Sequence, residues 1–403
     1  MRILVSGAGI AGPTLAWWLL HYGFTPTVIE SAPVLKTGGY VIDFWGAGFD
    51  VGERMGLLPE IQRRGYIVEE VRAVDDSGQR AAGLSAKGFV RMTGGRFVSL
   101  PRGDLAAILF SSIEQRVETL FGDRIAQIEQ TSDGVQVRFE RAPPRTFDLV
   151  IGADGLHSGV RRLVFGEDSH FERYLGYKAA AFTVSGYQPR EELVYILYTR
   201  VGSQVARFSM RDDRTMFLFT FADPDPGIPA AMADQKSLLR DRFRGARWEV
   251  PRILAALDDC TELYFDRVSQ IRMDARPGLW TENRVTLVGD AASCVSLLAG
   301  QGSALAMVAA YLLAGELSQA SGDYGGAFGR YQERFAPFVR NKQRAALRFA
   351  GMFAPRSKFA LYLRNRGMSL MNISWIADFA MRRDLADTIE LPDYKAGPVF
   401  GSR

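Results

Sequence analysis

The stretch Ile3-Leu4-Val5-Ser6-Gly7-Ala8-Gly9-Ile10-Ala11-Gly12 decides how this chain folds. Its first part is a continuous apolar run, the pattern of a strand buried on both faces of a parallel sheet, and Met1–Ser6 is read as that strand. Pro13 to His21 reads as a helix, Gly23 is placed to stop it, and Thr25–Glu30 is the next strand. The unit fits into about 30 residues, the size of a βαβ crossover. In that context Gly7 permits a tight turn, Gly9 lets a pyrophosphate approach the backbone, and Gly12 allows helix to pack closely on strand. With Ile10 and Ala11 they form a helix N-terminus, where N–H groups and the helix dipole favour an anion. Glu30 ends the second strand, where an acid accepts a hydrogen bond from a ribose hydroxyl and argues against a 2′-phosphate.

Further along, Phe147–Ile151 leads into Gly152-Ala153-Asp154-Gly155-Leu156-His157-Ser158-Gly159-Val160-Arg161. Arg284–Val288 leads into Gly289-Asp290, followed by Gly300-Gln301-Gly302 and a helical pattern. An Asp at the carboxyl end of a parallel strand can point into the crevice where ligands of open α/β sheets bind. A single Asp-Gly is otherwise a simple turn; three such strand ends in this order favour a ligand site. Between them Val194–Arg200, Gln204–Arg211 and Thr215–Ala222 alternate and are rich in aromatics, an antiparallel meander. Phe217, Phe219 and Phe221 share one face of it, either packed on a helix or lining a pocket. After Tyr324 the chain reads as helical, with a kink at Pro337, a break between Gly351 and Pro355, and a second amphipathic stretch from about Lys358 to Asp384.

The expected fold is therefore α/β: a discontinuous Rossmann-like domain with an inserted, mainly antiparallel sheet domain and C-terminal helices. The first domain is assigned to residues 1–70, 101–170 and 275–325, the sheet domain to 71–100 and 171–274, and the helical segment to 326–403.

Composition narrows the function classes. The chain has 403 residues, 47% of them apolar and 23% charged, which excludes wholesale disorder. Two cysteines, Cys260 and Cys294, cannot form a disulfide framework, and with three histidines they leave little material for a metal site. No metal is expected, and an organic cofactor would have to carry any redox chemistry. The net charge of +4 is scattered, so no nucleic-acid partner is expected. No signal segment is visible and no apolar run is long enough to span a bilayer, so a cytoplasmic location is the expectation.

Taken together, these motifs resemble the flavin-dependent monooxygenases of the p-hydroxybenzoate hydroxylase type, and among them the tetracycline-inactivating monooxygenases. The resemblance runs from Arg2 to about Arg340. It implies FAD, with its pyrophosphate on Gly7, Gly9 and Gly12 and its adenosine ribose on Glu30. It implies that Arg102, within Leu100-Pro101-Arg102-Gly103-Asp104-Leu105, reaches the flavin side. Asp154, Gly155 and Arg161 would serve both FAD and NADPH or NADH. Gly289 and Asp290 would hold the ribityl region, and Gly300, Gln301 and Gly302 would face the isoalloxazine. Two departures stand out. Relatives usually carry prolines where this chain has Val295-Ser296-Leu297-Leu298, and often an Asn where it has Ser303-Ala304.

The implied cycle reduces FAD with NAD(P)H, adds O₂ at the flavin C4a to form a hydroperoxide, and passes one oxygen atom to an aromatic or polyketide-like molecule. Both hydroxylation and Baeyer–Villiger insertion use that species. Asp43, after Gly38-Gly39, is the candidate polar group beside the flavin. Arg207, Phe217 and Phe219 are the candidate ligand contacts from the sheet, because an Arg among aromatic rings suits a flat phenolic or anionic ligand; Arg207 is also a catalytic candidate. A halogenase or reductase on the same fold, and a non-catalytic FAD- or ligand-binding protein, are the alternatives. The Trp-x-Trp-x-Ile-Pro pattern usual in such halogenases is not found.

Overall fold

The computed structural model describes residues 1–36, 38–274, 276, 278–370 and 389–394. The quoted opening stretch forms the strand Arg2–Ser6 and the helix Ala11–His21, with Thr25–Glu30 as the second strand. These strands sit inside a six-stranded sheet ordered 281–282, 285–287, 149–152, 2–6, 25–30, 118–121. All its pairings are parallel except the outermost one, between 281–282 and 285–287. Its strands read as unbroken apolar runs because both faces are covered: Ile3, Leu4, Val5, Leu149, Val150, Ile151, Val285 and Leu287 are fully buried. They share one core with the helices Ala11–His21, Gly302–Ser318 and Tyr324–Phe353 and with a small antiparallel sheet of 125–130, 135–139 and 145–147. From strand 2–6 the chain passes to 25–30 on one side, and strand 149–152 arrives on the other. That reversal opens a crevice at the carboxyl ends of 2–6 and 149–152.

The second sheet has seven strands in the order 264–271, 172–185, 214–222, 203–209, 194–200, 70–74, 80–85. It is antiparallel apart from the pairing of 194–200 with 70–74. Alternation of side chains gives it two faces. One carries Phe182, Phe217, Phe219 and Phe221 against Leu239, Phe243, Val250 and Ile253 of the helices Met232–Arg242 and Val250–Ala256 and the turn between them. The other carries Phe208, Met210 and Met216 against Val41, Tyr66 and Val68, next to the hairpin 41–45/97–101. The α/β class, with a parallel sheet, a separate mainly antiparallel sheet and C-terminal helices, is as expected.

The face assignment corrects one expectation. Phe217 and Phe219 are core residues of the helix-covered face, with rings 5.2 and 6.0 Å from that of Phe182. Arg207 pairs across the strands with Ile196 and Phe217, so it shares their face. Its guanidinium is 1% exposed and donates at 2.6 Å to both oxygens of Glu249 and at 3.3 Å to Glu191. The physical reason is periodicity: a one-residue shift moves every side chain to the opposite face, and the aromatic-rich parity is the one the two helices cover. Arg207→Ala should therefore lower stability by about 3 kcal/mol, because it strands the mostly buried Glu249 carboxylate. Thermal unfolding of the apoprotein would show the loss, with substrate KM unchanged.

The long helix Tyr324–Phe353 runs through Pro337 and ends at the expected break. The helix after it spans Lys358–Leu370; the rest of the amphipathic stretch expected to Asp384 lies outside the described residues. Among the described residues no helix is long and apolar enough to cross a membrane.

Candidate active site

The turn after Ser6 is built for close approach. Gly7 has a φ of +107°, and a Cβ there would meet the Ala153 carbonyl oxygen at 2.5 Å. A Cβ on Gly12 would lie 1.8 Å from the Gly7 carbonyl oxygen, so helix and turn touch through backbone alone. The helix they open has no side-chain cap and no acidic residue in its first turn. Its N–H groups and dipole are thus left to an outside anion. The Glu30 carboxylate is fixed beside this turn by the Ala8 and Ala32 N–H groups, each at 2.8 Å.

Across the crevice Asp154 accepts hydrogen bonds from the Ser158 hydroxyl and, at 3.1 Å, from the Val160 N–H. Burial pushes its carboxyl above the usual range, against these bonds and the Arg161 charge. Ser158 in turn caps the helix Gly159–Val164 by accepting from the Arg161 N–H. The Arg161 side chain is wholly buried. It donates to Asp168 at 2.6 Å, to the Leu156 carbonyl at 2.6 Å and to the Ala291 carbonyl at 2.9 Å. It ties one strand-end turn to the other, which is a different task from the ligand contact expected of it.

Gly289, at a φ of +64°, starts the short helix Asp290–Ser293, and a Cβ on it would approach Ala11 at 3.0 Å. The Asp290 carboxyl is pushed up by burial while the nearby Arg102 charge opposes the shift. The Cα region of Gly302 lies beside it, a Cβ there standing 3.8 Å from the Asp290 Oδ1. Arg102 begins the helix Arg102–Ser111, its N–H donates to the Tyr40 carbonyl at 3.0 Å, and its Nη2 lies 3.8 Å from where a Gly9 Cβ would be. Gly9, Arg102, Asp290 and Gly302 thus converge from three separate parts of the chain.

Several residues of this crevice escaped the sequence reading. Burial raises the Tyr40 phenol to about 12, Arg102 opposing, and the Tyr264 ring meets it edge-on at 5.5 Å. Asp43 lies on the strand Val41–Trp45, accepts from the Ser99 hydroxyl at 2.5 Å, and is open to solvent yet walled by protein, which pushes its carboxyl up. Near it Tyr195 stacks on Phe208 at 4.4 Å, and Phe208 meets Tyr66 at 5.3 Å. Tyr195, Phe208 and the half-exposed Leu218 belong to the sheet face opposite Phe217. The signal available in the sequence was the second parity of the meander. His157 is exposed and pairs with Asp266 at 3.0 Å, outside this group.

Ala304 sits at a close crossing of two helices. A Cβ on Gly48 would fall 2.5 Å from the Ala304 Cβ, so the helices Ala47–Arg54 and Gly302–Ser318 cross at two of the smallest residues. Among the described residues no cluster of His, Cys, Asp and Glu could hold a metal ion. The glycine turn, the uncapped helix and the Arg102–Asp290 pair fit a dinucleotide carrying a flavin.

Comparison with known proteins agrees with that fit. The family model described as FAD binding domain matches residues 1–339. A flavin-dependent monooxygenase of Legionella longbeachae serogroup 1 (strain NSW150) is 32% identical over 98% of this chain and 99% of its own. The crystal structure of tetracycline destructase Tet(51) superposes with a TM-score of 0.81 at 32% identity, covering 98% of this chain and 99% of that one. Klebsiella pneumoniae HpxO complexed with FAD and uric acid shares the fold, at a TM-score of 0.79 and 23% identity over 96% and 97% of the two chains.

Proposed function

The chain belongs to the FAD binding domain family and is an FAD-dependent monooxygenase, and from that premise we propose that it consumes NADPH or NADH to oxygenate a flat aromatic or polycyclic molecule. FAD, when bound by these residues, would supply the redox chemistry between the nicotinamide, O₂ and the substrate. The protein's part is binding, orientation and exclusion of water.

In this reading the N–H groups of Gly9, Ile10, Ala11 and Gly12 hold the pyrophosphate and Glu30 holds the adenosine ribose. Asp290 and Gly289 take the ribityl chain, with Gly300, Gln301 and Gly302 along the isoalloxazine and Arg102 at its side. Asp154 and Gly155 shape the crevice wall, and Arg161 keeps that wall in register with Ala291. The substrate lies between the flavin and the partly exposed Tyr195 and Leu218, on the sheet face opposite Phe217 and Phe219. Aromatic walls on that face suit a planar ligand. Asp43, whose carboxyl burial drives toward the neutral form, is placed to exchange a proton with a ligand hydroxyl there. The tetracycline and uric acid in the names of the two compared structures are polycyclic molecules of this kind.

The observation that carries the reading is the convergence of Gly9, Arg102, Asp290 and Gly302 on one crevice. The test is NAD(P)H oxidation by the purified flavoprotein with a panel of phenols and polycyclic ketones under isotopically labelled O₂. Stimulated oxidation with label in the product supports the proposal. Product without label, or no oxidation of either nicotinamide with any compound, overturns it.

A further inference from the structure

The segment Cys294–Gly300 joins the short helix Asp290–Ser293 to the helix Gly302–Ser318, and buried side chains from two other elements hold it. Ser296 has a φ of +115°, a conformation proline cannot adopt and one that strains any residue with a Cβ. Ser296 is 3% exposed, so the strain is held inside the protein rather than at a loose surface turn.

Two glutamines surround the peptide groups just before it. Gln270, fully buried on the strand Tyr264–Ile271, donates its amide to the Val295 carbonyl at 3.0 Å and to the Gln343 carbonyl at 2.9 Å. Its own amide oxygen accepts from Arg272 Nε and Nη2 at 3.0 and 2.8 Å, which fixes which way the amide points. Gln343, 4% exposed on the helix Tyr324–Phe353, donates to the Cys294 carbonyl at 3.1 Å and to the Ile271 carbonyl at 2.8 Å. The Ile271 N–H adds a second bond to the Cys294 carbonyl at 3.1 Å. Both amide groups are thus committed, and they join the substrate sheet, the long helix and the loop in one buried network. The held segment lies beside the cofactor crevice, since Cys294 directly follows the short helix Asp290–Ser293, and its thiol donates to the Ser269 carbonyl at 3.6 Å.

We propose that Gln270 and Gln343 are positioning residues that clamp the Cys294–Val295 peptides, hold Ser296 in its strained conformation and so set the loop against the flavin. This rests on the reading of the crevice as the FAD site. Removing the Gln343 amide takes a donor from the Ile271 carbonyl and leaves the Cys294 carbonyl only the Ile271 N–H, which lets Ser296 relax out of its left-handed conformation.

The test compares wild type, Gln343→Leu, Ser296→Gly and the double variant by titrating FAD into apoprotein and recording the visible band of bound flavin. Leucine keeps the volume and removes the donor; glycine needs no clamp to adopt a φ of +115°. Q343L should weaken FAD binding by about tenfold and shift the flavin band, with more hydrogen peroxide released per NAD(P)H consumed. S296G alone, which gives up the bond that the Leu298 N–H donates to the Ser296 Oγ at 3.2 Å, should weaken FAD binding less than Q343L does, and S296G/Q343L should lose clearly less than the sum of the two. Unchanged affinity and band in Q343L, or losses in the double variant that simply add, overturn the clamp. If Q343L does not fold, the double variant decides: folding with FAD bound supports the proposal, and failure to bind FAD overturns it. A wild-type protein that takes up no FAD would instead overturn the reading of the crevice.

Discussion

Gly12→Ala should purify without a flavin band. The added Cβ would stand 1.8 Å from the Gly7 carbonyl oxygen and 3.0 Å from its carbon, so the helix Ala11–His21 has to move away from the turn by more than an ångström. In the proposed reading that helix presents its N–H groups to the pyrophosphate, and a displacement of this size should cost about a hundredfold in FAD affinity. Overpacking adds a stability loss of about 3 kcal/mol. Gly9→Ala is the informative partner, because a Cβ there meets nothing nearer than Arg102 Nη2 at 3.8 Å. Its apoprotein should melt like wild type while FAD affinity falls, separating a glycine needed for packing from one needed for ligand approach. Absorbance of the purified proteins and melting of their apo forms check both. A fully flavinated G12A would refute the argument.

Arg161→Met should cost about 5 kcal/mol in the apoprotein, a fall in Tm of about 10 °C. The guanidinium is fully buried, and its loss leaves the Asp168 carboxylate and the Leu156 and Ala291 carbonyls short of donors. Asp168→Asn should cost less, since that side chain is partly exposed and the asparagine oxygen can still accept. The discriminating measurement is unfolding without FAD. An arginine whose task is to touch a ligand would leave that value unchanged, and such a result would return Arg161 to the cofactor. The same loss should also weaken FAD binding, because the Ala291 carbonyl that Arg161 holds is one residue from Asp290.

Legibility in the sequence followed the range of the interactions. The glycine turn, Glu30 and the turns at Asp154 and Asp290 were legible because each depends on a few neighbouring residues and on backbone that only glycine can supply. The strands around them were legible because a strand buried on both faces needs an unbroken apolar run. Tyr40, Tyr195 and Leu218 were not, since nothing in their own spacing says which wall they face. Phe217, Phe219 and Arg207 had a visible shared parity, but parity names a face without saying what covers it.

Local sequence was enough for the α/β class and for the glycine-bearing turns and their order along the chain. These follow from local periodicity and from glycines such as Gly7, Gly12 and Gly289, whose φ or close contacts leave no room for a side chain. The tertiary fold settled which sheet face the two helices cover and which partners Arg161 and Arg207 hold. It also showed that Gln270 and Gln343 hold the loop at Ser296. Each of those depends on contacts between elements tens to hundreds of residues apart, where the partner, and not the residue, sets the role.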